Sequence, residues 1–468
     1  MKHIKFIFPA TILISFFFLS CKKESFITSA DARLSLSADS IKFDTVFTTT
    51  GSVTQSFKIF NDNNQKLLLS KVKLMGGITS PYKININGIA ATEQDNIEVE
   101  ANDSIYVFVT VTINPSAANL PFIVADSVLI NYNGNDRFVQ LQAYGQNAHF
   151  MNHTVIGTNT TWANDLPYVI LGGLQVDTGI VLSIDPGCRI YSHANSPFIV
   201  DGTLIINGTK GNEVVFAGDR LDDPYKDFPA GWPGLYFRDV SKDNVITYAI
   251  IKNAYQAVIA EDLPSNANPK LTIHQSVIDN AYDAGLLSIN SSVSMDNSLI
   301  SNCGKNINIV LGGKYDFTNC SIASYSNSYI LHKTPVFIAT NFIDQGSSVI
   351  TADMNALIRN CIFWGDNGTI DNEVIVNKQG STPFAVAMDH CIYKAVDDPA
   401  NTTLNASIKN MDPSFDSIDV NHKYYDFRIT RNGLAPGIDQ GMITVFLKDL
   451  DNNNRIVNIT DIGCYEKQ

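Results

Sequence analysis

The chain has 468 residues, of which 45% are hydrophobic and 17% are charged. This length accommodates two or three domains with full hydrophobic cores, and the ordinary apolar content excludes a chain that is disordered throughout. The formal net charge of −13 argues against nucleic-acid binding, which requires a basic surface. Seven cysteines in a chain of this length are too few for a disulfide scaffold.

The first 20 residues have the pattern of a secretory signal peptide. Lys2 and Lys5 precede an apolar stretch over residues 6–19, which is too short to span a bilayer comfortably. The sequence Phe18-Leu-Ser-Cys21 resembles the lipobox of bacterial lipoproteins. This resemblance implies that Cys21 is lipidated and becomes the new N-terminus. The alternative is a plain signal peptide followed by an incidental cysteine.

The residues after the lipobox bear on the location of the protein. Residues 21–29 form a predicted tether, and Lys22-Lys-Glu-Ser25 lacks the Asp that favours retention in the inner membrane of Gram-negative bacteria. The resemblance therefore implies a cell-envelope protein whose lipid anchors it in the outer membrane. Both the periplasmic face and the cell surface remain open.

Residues 30–148 have the pattern of a β-sandwich. Short segments rich in Ile, Val, Phe and Thr alternate in polarity and are separated by Asn-Asp, Gly-Gly and Asn-Gly turns, which is typical of antiparallel strands. The stretches 107–115 and 141–145 resemble the ends of immunoglobulin-like domains that precede β-helices. We expect a spacer, with ligand binding at its loops as the alternative. The predicted strands are 40–47, 54–61, 67–74, 82–87, 96–100, 104–114, 126–132 and 137–143.

Residues 152–410 contain a repeat of about 22 residues. Each copy has apolar residues at its first, third and eighth places and a small residue at its sixth place. Such a pattern is two strands of period two with a change of parity between them, so one residue must leave β geometry. The fifth place is Asn297, Asn319 or Asn360 in three copies, and Asn is the non-glycine residue that best tolerates positive φ. The sixth-place residues are Ala249, Ser276, Ser298, Cys320, Asn341, Cys361 and Cys391.

This pattern is typical of a right-handed parallel β-helix, in which each coil packs on the next. The stretches 168–187, 202–208 and 232–237 closely resemble the opening coils of β-helix lipoproteins of the Gram-negative envelope. Residues 411–468 resemble the ending of many secreted β-helix proteins, so we expect a C-terminal cap. The predicted fold class is all-β, with an immunoglobulin-like sandwich followed by the β-helix and its cap. This family is defined by fold and not by activity.

The fourth place of each copy points outward and could carry catalytic groups. His274 lies above Asp296 at about one strand spacing, ~4.8 Å, and this pair suggests acid–base chemistry, with Arg359 as a further weak candidate. A stacked carboxylate trio and the signatures of acidic-polysaccharide lyases are absent, so we expect no catalytic residue. The column consists of Thr247, His274, Asp296, Thr318, Ala339, Arg359 and Asp389.

A loop over residues 217–232 interrupts the coil pattern and is dense in charged and aromatic residues. Its acids and aromatic rings could hold a sugar by hydrogen bonds and stacking, and on this reading the loss of Trp232 would weaken binding more than the loss of His274. The alternative is a loop that packs on itself and seals a coil edge. The candidate ligand-binding residues are Asp219, Asp222, Asp223, Tyr225 and Trp232.

The sequence predicts no metal site and no cofactor. Cys320, Cys361 and Cys391 share the inward column, where buried free thiols are expected, and zinc-type spacing is absent. The run Asp449-x-Asp451-x-Asn453 resembles the start of a calcium loop, but it lacks the downstream Gly and Glu. A polar turn is therefore expected there, with calcium as the alternative.

Three functions remain open on the sequence alone. The first is a non-catalytic outer-membrane lipoprotein whose β-helix binds a polysaccharide or an envelope protein. The second is a polysaccharide lyase or glycoside hydrolase that uses the face around His274, Asp296 and Arg359. The third is a structural spacer. Convergence of those three side chains in one groove would favour the enzyme, whereas scattered side chains would favour the binding protein.

We predict that Cys21→Ser releases the protein from the membrane fraction, because the acyl chains on Cys21 are the only strong source of membrane affinity that the sequence indicates. Fractionation of cells followed by immunoblotting measures this. Cys21→Ser protein that stays with the membranes would contradict the lipid anchor.

Overall fold

The computed structural model describes residues 25–48, 50–114, 122–366, 369–429, 433–456 and 458–467. The predicted signal peptide and Cys21 lie outside the described residues. The described chain is almost entirely β-strand, and it divides into two compact units between Asn147 and Ala148. The all-β prediction is therefore confirmed. Among the residues described, no helix is long and apolar enough to cross a membrane.

The first unit is a β-sandwich. Its strands are β1 Phe26–Ile27, β2 Leu34–Leu36, β3 Ser40–Phe47, β4 Gln55–Asn61, β5 Lys66–Leu74, β6 Tyr82–Ile86, β7 Ile89–Ala90, β8 Glu93–Val99, β9 Ser104–Val111, β10 Phe122–Tyr132 and β11 Asn135–Gln146. One sheet has the order β1-β5-β10-β11-β3 with β8 beside β5, and the other has the order β2-β4-β9-β6-β7. Alternate residues such as Phe57, Val107 and Val139 fill the space between the sheets because side chains along a strand point to opposite faces. A short 3-10 helix spans Gly77–Thr79.

The second unit opens with the first coils of a parallel β-helix. These strands are β12 His149–Ile156, β13 Thr160–Trp162, β14 Tyr168–Val176, β15 Val181–Ile184, β16 Arg189–Ser192, β17 Phe198–Val200, β18 Thr203–Asn207, β19 Val214–Gly218, β20 Leu235–Phe237, β21 Asn244–Thr247, β22 Ala249–Lys252, β23 Gln256–Glu261, β24 Leu271–His274 and β25 Val277–Asp279. A second 3-10 helix, Tyr225–Asp227, lies in the loop between β19 and β20.

The remaining strands complete the β-helix and two short hairpins. They are β26 Ala284–Asp296, β27 Leu299–Ser301, β28 Lys305–Thr318, β29 Ser321–Ser324, β30 Phe337–Thr340, β31 Phe342–Asp344, β32 Val349–Thr351, β33 Met354–Arg359, β34 Ile362–Gly365, β35 Val374–Asn377, β36 Phe384–Asp389, β37 Ile392–Tyr393, β38 Thr403–Asn405, β39 Ile408–Lys409, β40 Ser417–Asp419 and β41 Tyr424–Asp426. The hairpins pair β31 with β32 and β40 with β41.

Strands of successive coils stack in three parallel ladders. The first ladder is β12-β14-β16-β19-β22-β25-β27-β29-β34-β37-β39. The second takes the later part of β12 and β14, then β17, β20 and β23, the earlier part of β26 and β28, and then β30 and β35. The third is β13-β15-β18-β21-β24, the later part of β26 and β28, then β33-β36-β38. The chain visits the ladders in this order in each coil, except that the last coil passes from β37 directly to β38 in the third ladder. The inward residues of all three ladders form one core.

Asparagines occupy the corner where the chain passes from the third ladder to the first. Asn297, Asn319 and Asn360 have φ values of 46°, 55° and 51°, in the left-handed region. All three are buried, and Nδ2 of Asn360 donates to Oδ1 of Asn319 at 2.8 Å. The side-chain amides thus pair between coils while the backbone makes the turn.

A second asparagine column, which the sequence analysis missed, lies between the first and second ladders. Asn253, Asn280 and Asn302 have φ values of 62°, 56° and 52°. Nδ2 of Asn280 donates to Oδ1 of Asn253 at 2.8 Å. Each of these residues comes soon after its β-strand in the first ladder, so the same spacing argument would have found them.

The repeat copy assigned to residues 336–343 is wrong. Strand β30 belongs to the second ladder, where Phe337 pairs with Ile307, and Ala339 is buried in the core instead of pointing outward. The coil between Cys320 and Cys361 carries an irregular stretch and the β31–β32 hairpin, which lengthen it to 41 residues, against 22 in the coil before it and 30 in the coil after it. An apolar alternation from another ladder therefore imitated the expected motif.

The C-terminal segment, described over residues 411–429, 433–456 and 458–467, packs along the outer side of the first ladder. Phe427, Leu450 and Cys464 lie against Leu299 and Ala323. This segment therefore covers apolar side chains that the coil pattern points away from the core.

A buried ion pair fastens the C-terminal segment to the asparagine corner. Arg455 donates through Nε to Oδ1 of Asn297 at 2.9 Å and through Nη1 to Oε2 of Glu466 at 3.0 Å. Removal of either charge would break a buried ion pair, which is strongly destabilising.

We predict that Asn319→Val lowers the stability of the β-helix by about 1–3 kcal/mol, because a β-branched residue is disfavoured at positive φ. The matched control is Asn319→Gly, which loses the same amide contacts but accepts the same backbone angle. Thermal unfolding should rank the native protein first, Asn319→Gly second and Asn319→Val last. A glycine variant no more stable than the valine variant would show that the backbone angle does not limit this position.

Candidate ligand-binding cleft

His274 and Asp296 are direct neighbours in the third ladder. Nδ1 of His274 lies 2.5 Å from Oδ2 of Asp296, and Oδ1 of Asp296 accepts from Nδ2 of Asn297 at 2.9 Å. Asp296 is only 3% exposed. The hydrogen bond to Asp296 raises the pKa of His274 above its ordinary value, although burial acts in the opposite direction. Both carboxylate oxygens are thus engaged by protein groups, which suits a structural contact on this face.

Arg359 lies away from this pair. In the third ladder Thr318 stands between Asp296 and Arg359. Nη2 of Arg359 bonds to the two oxygens of Asp316 at 2.6 and 2.8 Å. The three weak catalytic candidates therefore form two separate contacts, and they do not converge on one reacting position.

A cleft of about 450 Å³ lies beside this face, and we call it the loop-bounded cleft. Its floor is made by outward side chains of three consecutive coils, from β26, β28 and β33. Register places these side chains in two columns. The wall is the loop over residues 263–269, which precedes β24. The floor residues are Ser292, Lys314 and Asn355 in one column and Ser294, Asp316 and Leu357 in the other.

Fixed hydrogen bonds hold the wall in place. Asp243 accepts from Nδ2 of Asn266 at 3.0 and 2.9 Å and from Nδ2 of Asn268 at 2.7 Å. At the base of the loop the buried Lys270 donates through Nζ to three backbone carbonyls within residues 238–241. Burial lowers the pKa of Lys270 to about 8. These contacts position the wall before any ligand arrives.

The cleft combines polar groups with apolar surface. Lys314 is exposed and has no ion pair among the described residues, whereas Asp316 is balanced by Arg359. Leu263 on the wall and Leu357 on the floor are 43% and 36% exposed. An ammonium, hydroxyls and amides beside aliphatic carbon suit a ligand that has both hydroxyl edges and apolar faces.

Two ion pairs form within the loop over residues 217–232. Arg220 pairs with Asp222, with 2.7 Å between Nε and Oδ1, and its guanidinium carbon lies 3.9 Å from the centre of the Tyr225 ring. Asp223 pairs with Lys226 at 2.7 Å. One face of the Tyr225 ring is thus in contact with Arg220.

Asp219, the first acid of this loop, is also engaged. Its Oδ2 lies 2.7 Å from Nδ1 of His193, and burial raises the pKa of Asp219 above its ordinary value. Together these contacts match the alternative of a loop that packs on itself.

The interpretation of Trp232 as an exposed stacking residue is wrong. Its side chain is 1% exposed and lies in the core of the β-helix, near Phe216. Nε1 of Trp232 donates to the carbonyl of Lys252 at 2.9 Å. The indole is thus consumed by packing at the point where the loop rejoins the coils, so it offers no surface to a ligand.

The acids of the calcium-like run bond to protein groups. Asp451 accepts from Nζ of Lys210 at 2.8 Å and from Nε of Arg428 at 2.6 Å. Asp449 accepts from the backbone amides of Asn453 at 2.7 Å and of Glu466 at 2.9 Å. These are the contacts of a polar turn. Within the described ranges, no group of three or more His, Cys, Asp or Glu side chains is arranged to hold a metal ion.

The residues of the loop-bounded cleft were not predicted as a site. Lys314 and Asn355 each lie one residue before a copy of the eight-residue repeat, so the outward column at the fourth place does not include them. One signal was present. The spacing from Ala249 to Ser276 is 27 residues, whereas the next two spacings are 22, and the additional residues form the wall.

Comparison with known proteins does not identify a family for this chain. No protein-family model and no curated protein matches the chain. Two solved structures resemble parts of it: a family 123 glycoside hydrolase from Clostridium perfringens, described for glycolipid glycan hydrolysis, and the VesB protease of Vibrio cholerae. The hydrolase is 10% identical with a TM-score of 0.18, covering 26% of this chain and 30% of its own. The protease is 12% identical with a TM-score of 0.18, covering 24% of this chain and 31% of its own. The chain thus spans under a third of either protein, and likenesses this low carry no functional argument.

We predict that the stability lost in His274→Gln depends on pH. The pKa of His274 is raised above the unfolded value of 6.5, so its stabilising contribution is fully present below that pH and is lost as pH rises through the folded pKa. The difference in thermal midpoint between native protein and variant should therefore be largest near pH 5 and should shrink towards pH 9. In an Asp296→Asn background the same substitution should show little of this dependence. A difference that is independent of pH in the native background would contradict the charged pair.

Proposed function

We propose that the protein is a lipid-anchored, non-catalytic component of the Gram-negative outer membrane that binds a polysaccharide in the loop-bounded cleft. The observation that carries the proposal is the cleft itself, with a floor of three stacked coils and a wall that is fixed in advance. A preformed site loses less entropy when a flexible chain binds.

The stacking of coils favours a chain of repeating units. Adjacent strands of a ladder lie about 4.8 Å apart, so each coil offers a new pair of outward groups along the helix axis. Hydroxyl, amide and ammonium groups follow one another on the floor, beside the exposed surface of Leu263 and Leu357. Sugar rings have hydroxyl edges and apolar C–H faces, which match this surface.

Binding is favoured over cleavage by the contacts of the acid–base candidates. A general acid or base must reach the substrate and must be oriented by its neighbours. Asp296 is buried, and both of its carboxylate oxygens accept hydrogen bonds from protein groups. Arg359 lies two coils away from Asp296 and is bonded to Asp316. A lyase or glycoside hydrolase remains the alternative function, because His274 is partly exposed on the same face.

The rest of the chain fits an anchored binding protein. The lipobox at Cys21 supplies the anchor, and the sandwich would serve as the spacer between the membrane and the β-helix. An envelope protein instead of a polysaccharide is the alternative partner. A structural spacer would need no preformed cleft.

We predict that Lys314→Ala weakens binding of whichever polysaccharide a glycan array identifies by roughly tenfold, since a hydrogen bond to a charged group contributes about 1.5 kcal/mol or more. The fold should be unaffected, because Lys314 is exposed and outside any described ion pair. The matched control is Lys242→Ala, an exposed lysine outside the cleft, which should retain native affinity. Affinities are measured by isothermal titration on the full chain.

Two results would contradict the proposal. Equal affinities of the Lys314→Ala and Lys242→Ala variants would place the ligand elsewhere. Depolymerisation of the bound polysaccharide that disappears in His274→Ala would establish the enzyme alternative.

A further inference from the structure

A second cleft, of about 290 Å³, lies at the corner between the first and second ladders, and we call it the corner cleft. Asp227 of the 217–232 loop bounds it on one side. Asp279 and Asn280, at the end of β25, and Lys423 and Tyr425, of the C-terminal segment, bound it on the others. Its lining shares no residue with the loop-bounded cleft, so the two sites can be tested separately.

Two buried polar atoms that lack a hydrogen-bond partner belong to residues that line this cleft. They are Oδ1 of Asn280 and the hydroxyl of Tyr425, two of the seven such side-chain atoms among the described residues. A buried polar group without a partner is unfavourable, and native proteins contain few of them. Two at one cleft therefore indicate a site at which a ligand supplies the missing bonds.

The orientation of the Asn280 amide is determined by its neighbours. Nδ2 donates to Oδ1 of Asn253 at 2.8 Å and to the carbonyl of Asp227 at 3.0 Å. The oxygen is therefore the atom without a partner, and it can only accept a hydrogen bond. A ligand at this position must provide a donor.

Tyr425 provides the complementary group. Burial, with a smaller effect of the nearby Asp279 carboxylate, raises the pKa of Tyr425 to about 12. The phenol is therefore protonated at neutral pH, and it can donate to a ligand as well as accept from it. Asn280, which carries the acceptor oxygen, and Tyr425, which carries the phenol, thus line the same small cleft.

The charges of the corner cleft are balanced. Nζ of Lys423 lies 3.8 Å from Oδ2 of Asp227, and burial raises the pKa of Asp279 above its ordinary value, a shift that the nearby Lys252 opposes. An anionic ligand would meet both acids and a cationic ligand would meet both lysines, so a neutral polar ligand is favoured.

We propose that the corner cleft binds a neutral polyhydroxylated ligand of about the size of one hexose. A hydroxyl group is both donor and acceptor, so two hydroxyls of one small molecule can satisfy Asn280 and Tyr425 together. The volume lies at the lower end of the range for small-molecule sites, which excludes a long oligosaccharide from this cleft. This proposal goes beyond the polysaccharide site and does not depend on it.

The test is saturation-transfer NMR on the full chain with D-glucose, D-galactose and D-mannose as probes. At least one hexose should bind, and Tyr425→Phe should weaken that binding at least fivefold. The thermal midpoint should not fall in this variant, because the hydroxyl that is removed bonds to no described protein group. Tyr424→Phe, at the 54% exposed neighbouring position, and Lys314→Ala are the matched controls and should bind as the native protein does.

Three outcomes would overturn the proposal. One is that none of the three hexoses binds. Another is that a hexose binds with the same affinity to native protein and to Tyr425→Phe. The third is that Tyr425→Phe lowers the thermal midpoint by several degrees or fails to fold, which would show that the hydroxyl is bonded within the protein.

Discussion

One residue at positive φ at a corner decides where the side chains of the following strand point. Around Asn297 the inward Met295 and outward Asp296 are followed, after the corner, by the inward Ser298 and outward Leu299. Uninterrupted β-strand would place Ser298 outward, because alternation has a period of two. The corner thus resets the alternation in each coil, and the outward columns on which every candidate site depends follow from it.

The two clefts arise from what is added to this regular frame. At the corner before the third ladder, a coil with five additional residues supplies the wall of the loop-bounded cleft, held by Asp243 and the buried Lys270. At the corner after the first ladder, the 217–232 loop and the C-terminal segment meet the asparagine column and enclose the corner cleft. The coils supply fixed positions, and the additions supply the concave shapes that ligands require.

The sequence predicted most of what depends on local periodicity, although the column of Asn253, Asn280 and Asn302 was missed. Each of the eight strands expected in the sandwich is present, and Asn297, Asn319 and Asn360 have the left-handed backbone that the change of parity requires. Contacts between segments that are distant in the chain could not be predicted from the sequence pattern. Trp232 looks the same in sequence whether it is exposed or buried, and nothing local assigns Ala339 to the second ladder.

The candidate sites show the same division. The pairing of His274 with Asp296 followed from the repeat spacing, but the burial of Asp296 did not, since it depends on packing around the ladder. The orphaned Tyr425 hydroxyl lies on a segment about 145 residues from Asn280, and no pattern in the chain connects the two. Burial and satisfaction of polar groups are tertiary properties, so the sites could be found only in the folded chain.

We propose that the five additional residues of one coil create the polysaccharide site. The most direct measurement is the polysaccharide affinity of a variant that lacks residues 264–268, which restores the 22-residue spacing between Ala249 and Ser276. We expect this shortened protein to keep the circular dichroism spectrum of the native β-helix but to lose polysaccharide binding. A folded, shortened protein that binds the polysaccharide with native affinity would contradict the account.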